Sequence, residues 1–263
     1  METFTKQETY IREFDPHDYF DTYYSPKAGA LSGEWLKFAL TNLHEAFSQG
    51  GVKGKNLIDI GAGPAIYQLL TACEVFETII TSDFLEQNRT ELQKWLKNEQ
   101  GALDWMEIVK FVCNLEGNSE SWEKKEEKLR RTVKLVLKCD VLKRNPFEPL
   151  ILQPADCIIS CLCLEAPCQD VVSYCTVLKN LKDLLKPGGH ILIQSALNST
   201  FYFVGEKRFS SLKLTKEDLK KVFEEAGYEI EKIIVAPRED MSRMDISDYD
   251  SYYYVHARKP LTA

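Results

Sequence analysis

Short apolar runs alternate along the chain with longer segments that carry one apolar face. This alternation is typical of β-α-β units that build a parallel sheet. Five runs predict buried parallel strands, over residues 57–60, 78–81, 108–113, 157–162 and 190–195. Helices are expected to start near Ala65 and to cover 174–185, and Pro187-Gly188-Gly189 predicts a sharp turn before the fifth strand.

The C-terminal part of the chain predicts an antiparallel pair of strands. A helix over 216–226 and a turn at Gly227 precede strands over 229–235 and 252–257, and a polar loop, 237–250, separates the two strands. A hairpin that closes the sheet after five parallel strands differs from the dinucleotide-binding fold, which continues with another crossover. We therefore predict a single α/β domain over 1–263, with a doubly wound, mostly parallel, seven-stranded sheet.

Two further segments are predicted to cover the open end of this sheet. Residues 1–45 are amphipathic and rich in aromatic side chains, which predicts an N-terminal helical lid. Residues 115–138 predict a charged helical insertion, with an inner face formed by Trp122, Leu129, Val133, Val136 and Leu137.

Composition narrows the class of partner. Hydrophobic residues make up 44% of the 263 residues, which is enough for a buried core. The net charge of −7 repels phosphate backbones and disfavours a nucleic-acid partner. The most apolar stretch, 157–164, is too short to cross a membrane. From this composition we expect a small-molecule substrate and a monomeric protein.

The eight cysteines are expected to be reduced thiols, because the N-terminal residues lack the apolar run of a secretion signal and a cytoplasmic location follows. Cys157, Cys161 and Cys163 alternate along a predicted strand, without a paired CxxC spacing or a nearby histidine. Buried thiols that pack a strand are favoured over a metal site, and no metal is predicted.

The first strand ends at a glycine turn, Gly61-Ala62-Gly63. Ligands of open α/β sheets bind beyond the carboxyl ends of the strands, and glycines let the backbone approach a ligand closely. The dinucleotide fingerprint needs a third small residue, but this chain has Ile66 there and the bulk of Pro64 beside it. A cofactor without a pyrophosphate is therefore favoured.

Two acidic residues lie at later element ends. Asp83 ends the second strand, where a carboxylate can accept hydrogen bonds from both ribose hydroxyls of an adenosine cofactor. Asp140 lies at another predicted end, where an acid could accept from an adenine amino group. Spacing alone does not decide the second role.

A series of segments, in the same order along the chain, matches one known family. The segments are Asp15-Pro16-His17-Asp18-Tyr19, Tyr23-Tyr24, Ile58-Asp59-Ile60-Gly61, Gly63-Pro64, Ile66-Tyr67-Gln68, Lys94-Trp95-Leu96-Lys97, Leu115-Glu116-Gly117-Asn118, Lys125-Glu126-Glu127-Lys128-Leu129-Arg130, Lys138-Cys139-Asp140-Val141, Leu184-Leu185-Lys186-Pro187-Gly188-Gly189 and Phe209-Ser210-Ser211. Through these segments the chain resembles, over nearly its whole length, the small-molecule N-methyltransferases that include the nicotinamide, indolethylamine and phenylethanolamine enzymes.

The resemblance implies S-adenosylmethionine as cofactor and assigns contacts to it. The methionine end would meet Tyr19, Tyr24, Gly61, Ala62, Gly63 and Tyr67. The ribose would be held by Asp83 and Asn88, and the adenine by Asp140 and Val141. Cys161 stands where a family member often has threonine, and would contact the cofactor through its backbone as well as its side chain.

The implied activity is methyl transfer to a nitrogen of a small molecule, which leaves S-adenosylhomocysteine. The acceptor pocket would contain Tyr23, Leu162, Ser195, Ser199, Tyr202 and Ser211, with Tyr202 stacking on a flat substrate. Tyr19 and Glu165 are the candidates for catalysis. A pyridine nitrogen needs no general base, whereas an amine must lose a proton, for which Glu165 is the nearest carboxylate. Glu165 could equally be an orienting or a structural acid.

Two departures from the family pattern leave the acceptor open. The nicotinamide enzymes have an aspartate at the end of strand five, where this chain has Ser195, and the loop 237–250 also differs in sequence. Nicotinamide or a related pyridine is the first hypothesis, and an arylalkylamine the second. A third reading is a protein that binds S-adenosylmethionine, has lost catalysis and serves as an interaction module.

Overall fold

The computed structural model describes residues 4–29, 31, 33–117 and 121–261. Parts of the predicted lid (1–3, 30 and 32), residues 118–120 of the predicted insertion, which include Asn118, and residues 262 and 263 lie outside this range. Within the described residues, the large sheet has the strand order β3-β2-β1-β4-β5-β9-β8. Its strands are β1 (Gly54–Ile60), β2 (Phe76–Asp83), β3 (Val133–Lys138), β4 (Ala155–Cys161), β5 (Leu185–Leu197), β8 (Glu229–Pro237) and β9 (Ser251–Arg258).

The pairing confirms the predicted doubly wound sheet. Strands β1 to β5 pair in parallel, whereas β9 is antiparallel to both β5 and β8. The order reverses between β1 and β4, so the carboxyl ends of these two strands border a crevice in which ligands of such sheets bind. A separate small hairpin, β6 (Phe201–Val204) and β7 (Lys207–Ser210), was not predicted.

Helices cover both faces of the sheet. They are α1 (Gln7–Glu13), α2 (Pro16–Tyr23), α3 (Glu34–Ser48), α4 (Glu86–Leu96), α5 (Met106–Leu115), α6 (Trp122–Thr132), α7 (Val171–Asp183) and α8 (Lys216–Glu225). Because successive strand residues point to opposite faces, Leu57 packs in one apolar cluster with Leu40 and Val109, and Ile58 packs in the other with Leu178. These two clusters hold the sheet edge that carries the site.

Residues 108–113 were predicted as a strand, and this prediction is wrong because they belong to helix α5. The buried positions are Ile108, Val109, Val112 and Cys113, while Lys110 and Phe111 are more exposed. Pairs of buried residues four positions apart form one face of a helix, whereas a half-buried strand would bury alternate residues.

The third parallel strand is β3, within the segment predicted as a helical insertion. Helix α6 ends at Thr132, and the chain becomes extended at Val133 without a glycine or proline to mark the change. Of the predicted inner face, Trp122 and Leu129 lie on the helix, whereas Val133, Val136 and Leu137 lie on the strand. The single helix over 115–138 is therefore wrong.

Two smaller expectations also fail. The helix expected near Ala65 is replaced by 3-10 turns at Tyr67–Leu69 and Ala72–Glu74, in a stretch whose residues from 64 to 73 are all buried. With no exposed face, this stretch has none of the amphipathic pattern of a surface helix. The turn at Pro187-Gly188-Gly189 lies inside β5, as an irregularity between the pairs Ala155–Leu185 and Cys157–His190.

Helix α6 is fastened by a buried ammonium group. The Lys125 side chain is 2% exposed, and its Nζ lies 2.7 Å from Glu74 Oε1 and also contacts Glu116. We expect Lys125→Met to lower the free energy of unfolding by about 3 kcal/mol, because two carboxylates lose their buried partner. Lys128 also pairs with Glu74 but is 48% exposed, so Lys128→Met should cost less than about 1 kcal/mol. Urea denaturation measures both, and equal losses would contradict this account.

Two histidines on neighbouring strands give folding a pH dependence. His190 Nδ1 lies 2.9 Å from His256 Nε2, and burial, with the nearby His190 and Arg258, lowers the pKa of His256 to about 4. Since unfolded histidine binds its proton near pH 6.5, stability should be lost as the pH falls from about 6.5 toward 4. The midpoint of urea denaturation should therefore fall less between pH 7.5 and pH 5 in His256→Gln than in the unsubstituted protein. Identical falls would exclude this histidine as a cause.

Candidate active site

A cavity of about 460 Å³ lies beyond the carboxyl ends of β1, β2, β4 and β5. Segments of the N-terminal helices and of the loop 237–250 complete its wall. All residues predicted to take part in catalysis, cofactor binding or acceptor binding line this cavity. They are Tyr19, Tyr23, Tyr24, Gly61, Ala62, Gly63, Tyr67, Asp83, Asn88, Asp140, Val141, Cys161, Leu162, Glu165, Ser195, Ser199, Tyr202 and Ser211. The fold thus brings the predicted residues together, while their individual roles stay predictions.

The glycine turn after β1 forms one wall of the cavity. Gly61 and Gly63 have φ values of 69° and 61°, in the left-handed region that favours glycine. A Cβ atom on Gly61 would lie 1.9 Å from the Sγ atom of Cys163. Glycine is therefore required at this position for two reasons, backbone conformation and space.

The Asp83 carboxylate is held in place by three hydrogen bonds from the protein itself. Its Oδ2 accepts a hydrogen bond of 2.8 Å from the Gly63 amide, and its Oδ1 accepts from the Leu85 amide at 2.8 Å and from Asn88 Nδ2 at 3.0 Å. Burial raises the pKa of Asp83, and these donors oppose the rise. The Oδ1 atom of Asn88 is buried without a hydrogen-bond partner among the described residues, so a ligand hydroxyl would satisfy it. Asp83 and Asn88 together therefore suit the predicted ribose site.

The predicted adenine end follows β3. Asp140 Oδ1 accepts a hydrogen bond of 3.2 Å from the Leu142 amide, and Val141 is buried beside it. The Cys139 amide donates to the Asp83 carbonyl at 3.2 Å, which ties this loop to the end of β2. A carboxylate next to apolar side chains suits a flat ring with one amino donor.

Three phenols border the predicted methionine end. The hydroxyls of Tyr19 and Tyr24 lie 3.3 Å apart, and the rings of Tyr24 and Tyr67 stack with centroids 5.3 Å apart. Burial raises the pKa of all three hydroxyls well above the ordinary value. They are therefore neutral at physiological pH, and Tyr19 offers a hydrogen-bonding hydroxyl rather than a general base.

Glu165 is a buried carboxylate that faces the predicted acceptor pocket. Its Oε2 accepts from the Ser195 hydroxyl at 2.9 Å, and its Oε1 accepts from the Tyr253 hydroxyl at 2.5 Å. Tyr174 in turn lies 2.9 Å from the Tyr253 hydroxyl. Burial raises the pKa of Glu165, against the opposing effect of the two hydroxyl donors. A carboxylate with a raised pKa binds a proton more strongly than an exposed one, which makes Glu165 a candidate proton acceptor.

Aromatic side chains form the rest of the predicted acceptor pocket. The Tyr202 ring stacks on Phe209, and its hydroxyl lies 2.7 Å from that of Tyr10 on helix α1. The Tyr23 hydroxyl donates to the Phe203 carbonyl at 2.7 Å. Leu162 has a φ value of 52°, an uncommon conformation for this residue that ends β4 at the cavity. The N-terminal helices and the β6-β7 hairpin thus meet over the pocket.

The chain matches the model of the NNMT/PNMT/TEMT family over residues 2–260. Indolethylamine N-methyltransferase of Oryctolagus cuniculus is 48% identical over 236 residues, which cover 89% of this chain and 90% of the relative. Nicotinamide N-methyltransferase of Homo sapiens is 47% identical over 257 residues, which cover 97% of each chain. The chain belongs to the NNMT/PNMT/TEMT family.

Membership of the NNMT/PNMT/TEMT family confirms the predicted class, an enzyme that transfers methyl groups from S-adenosylmethionine to nitrogen. The structure of Burkholderia thailandensis 1,6-didemethyltoxoflavin-N1-methyltransferase has the same fold, with a TM-score of 0.56, 14% identity and coverage of 99% of this chain and 93% of that chain. In the part of the chain that the structure describes, no helix is long and apolar enough to cross a membrane, and no group of three metal-ligating side chains is found.

Several residues of this NNMT/PNMT/TEMT family member line the cavity but were not predicted. They include Tyr10, Glu34, Arg238, Arg243, Tyr249 and Tyr252. Tyr10 lies in the aromatic-rich N-terminal stretch. The composition of that stretch predicts that its aromatic side chains pack, but it does not predict that Tyr10 reaches the cavity. Glu34 is distant in sequence from the other four residues, and it meets them through contacts such as the hydrogen bond of 3.2 Å from the Tyr252 hydroxyl.

Proposed function

We propose that this protein methylates a small nitrogen heterocycle, nicotinamide or a related pyridine, as its preferred acceptor. The observation that carries the proposal is the continuity of the cavity. It runs from Asp83 and Asn88, which suit a ribose, to an aromatic pocket at Tyr202 that is closed by the N-terminal helices. A flat acceptor between aromatic rings suits such a pocket.

The cofactor, when bound, supplies a methyl group carried on a sulfonium. Asp83 and Asn88 would hold its ribose, Asp140 and Val141 its adenine, and Tyr19, Tyr24, Tyr67 and the glycine turn its methionine end. The chain then has to orient the acceptor nitrogen and exclude water. The aromatic pocket around Tyr202 serves both purposes.

Arylalkylamines are the second candidate, and Glu165 is the observation that favours them. A pyridine nitrogen has no proton to lose, but an amine must be deprotonated first. Ser195 and Glu165 both line the cavity, and the Ser195 hydroxyl donates a hydrogen bond of 2.9 Å to Glu165 Oε2. Ser195 can therefore accept a proton from an amine while its own proton passes to Glu165.

Two measurements on the full chain test the proposal. Calorimetric titration with S-adenosylmethionine tests the cofactor site, and an absence of binding would overturn the proposal. Transfer of labelled methyl to nicotinamide, quinoline, tryptamine and phenylethanolamine then separates pyridines from amines. Pyridines should have the higher kcat/KM. Binding without transfer to any acceptor would support the interaction-module reading instead.

A further inference from the structure

Two arginines line the cavity near Tyr23 of the predicted acceptor pocket. Arg238 follows β8 and Arg243 lies in the loop before β9, and we call them the arginine pair. Neither was assigned a role by the sequence, although both lie in the loop 237–250 that departs from the family pattern.

Arg238 is a buried cation, only 9% exposed. Its Nε donates to the Asp240 carbonyl at 2.7 Å, its Nη1 donates to the Ser247 carbonyl at 2.7 Å, and the guanidinium lies 4.1 Å from the Tyr249 ring centroid. These partners carry no formal charge. Across the described ranges, no hydrogen bond engages the Nη2 of Arg238.

Arg243 brings a second positive charge beside the acceptor pocket. Its Nη2 donates to the Thr22 carbonyl at 2.8 Å, which places it next to Tyr23. Burial raises the pKa of the Tyr23 hydroxyl, and the charges of Arg243 and Arg238 oppose that rise. The field of the arginine pair therefore reaches the pocket where the acceptor would bind.

The acidic residues near the arginine pair are engaged elsewhere. Glu34 accepts from the Glu239 and Asp240 amides at 3.0 and 3.2 Å and from the Tyr252 hydroxyl at 3.2 Å. Asp240 accepts from the Ser242 amide at 2.8 Å, and its pKa is lowered most by the Ser242 hydrogen bonds and less by the charges of Arg238 and Arg243. Among the residues that the structure describes, no carboxylate forms an ion pair with either arginine.

Ser195 carries no charge at the position where the nicotinamide enzymes have an aspartate, and the neighbouring Glu165 carboxylate accepts hydrogen bonds from the Ser195 and Tyr253 hydroxyls. An aspartate there would repel an anionic acceptor, whereas a serine hydroxyl does not. We propose that the native acceptor carries a carboxylate, which the arginine pair binds beside Tyr23 while the acceptor nitrogen faces the cofactor. A bidentate guanidinium suits this group. The inference rests on the proposed function and narrows its substrate class to pyridine carboxylates, of which nicotinate is the simplest.

The transfer balances without a proton step. The pyridine lone pair forms the new N–C bond, and the C–S bond breaks with its electron pair left on sulfur. The acceptor changes from an anion to a zwitterion, an N-methylpyridinium carboxylate, because the nitrogen gains a positive charge. The carboxylate takes no part in bond changes, so the arginine pair affects binding and orientation alone.

Matched acceptors test the proposal: nicotinate against nicotinamide, and tryptophan against tryptamine, each with labelled S-adenosylmethionine. We expect kcat/KM for nicotinate to exceed kcat/KM for nicotinamide by tenfold or more. Arg243→Gln should reduce kcat/KM for nicotinate by about 10-fold to 100-fold, the value of one or two hydrogen bonds to a charged group, and should reduce kcat/KM for nicotinamide by a much smaller factor. Lys220→Gln on the exposed face of α8 is the matched control.

Binding gives a readout that does not depend on turnover. Calorimetric titration of nicotinate into the protein saturated with S-adenosylhomocysteine should show an affinity that Arg243→Gln weakens. Arg238 also holds its loop, so a neutral substitution is avoided there. Arg238→Lys is used instead, because lysine keeps the positive charge and lacks the planar guanidinium. Nicotinate binding that depends on Arg243, without methyl transfer to any of the acceptors, would support the subsite and overturn the proposed function. Preference for nicotinamide, unaltered by Arg243→Gln, would overturn the inference and leave the proposed function standing.

Discussion

Glu165→Gln is expected to lower kcat for amine acceptors by 100-fold or more, while methylation of a pyridine nitrogen changes little. The reason is that an amine has to release a proton before its nitrogen can attack. A positioned general base increases the rate of such a reaction by about 10²-fold to 10⁴-fold. Glutamine has nearly the same shape and can still hydrogen-bond Ser195 and Tyr253, but it cannot accept a proton. Parallel kinetics with tryptamine and quinoline measure the difference.

Tyr253→Phe is the control for this experiment, because it removes one hydrogen bond to the same carboxylate and leaves the carboxylate in place. Since that hydrogen bond lowers the pKa of Glu165, its loss should raise this pKa and move the acidic limb of the pH–rate profile for amines to higher pH. An equal loss of kcat for amines and pyridines in Glu165→Gln would show that Glu165 orients or stabilises the pocket and takes no proton.

Asp83→Ala is expected to weaken S-adenosylmethionine binding by about 100-fold or more. Two hydrogen bonds from ribose hydroxyls to a carboxylate contribute about 1.5 kcal/mol or more each, and 1.4 kcal/mol corresponds to a factor of ten. The substitution also frees the Gly63 amide and the Asn88 side chain, which the carboxylate holds at 2.8 and 3.0 Å. Calorimetric titration gives the change in Kd.

Two further variants make the Asp83 result specific. Asn88→Ala should weaken binding less, because it removes a neutral amide. Glu77→Ala, at the exposed opposite end of the same strand, should leave the Kd unchanged. An unchanged Kd in Asp83→Ala would refute the ribose role, whereas a loss shared by Glu77→Ala would indicate damage to β2.

The sequence was informative where a strand is buried on both faces. Strands β1, β2 and β4 have runs of apolar residues that stand out from their surroundings, and the structure has strands there. Strand β3 is at the edge of the sheet, and Leu135 is 47% exposed. Its apolar residues continue directly from helix α6, so the sequence does not separate the strand from the helix. The identity of β3 depends on hydrogen bonds to β2, which are contacts that local patterns do not report.

The candidate site shows a similar division. Gly61, Asp83 and Asp140 follow strands in sequence, so their meeting at one sheet edge follows from the topology of a doubly wound fold. Tyr10, Glu34 and Arg238 reach the cavity from the lid and from the loop before β9. Their positions depend on how those segments pack across the sheet edge, and one sequence does not contain that information.

The hydrogen bonds that hold Asp83 in place have a kinetic consequence for the whole reaction. Asp83, Asn88 and Asp140 are predicted to contact ribose and adenine, the parts that S-adenosylmethionine and its spent form share. Contacts to the parts that both molecules share cannot distinguish the methyl donor from the product it leaves. We expect S-adenosylhomocysteine to compete at concentrations close to those of the methyl donor, so that the ratio of the two in the surroundings, rather than the donor level alone, sets the rate of methylation.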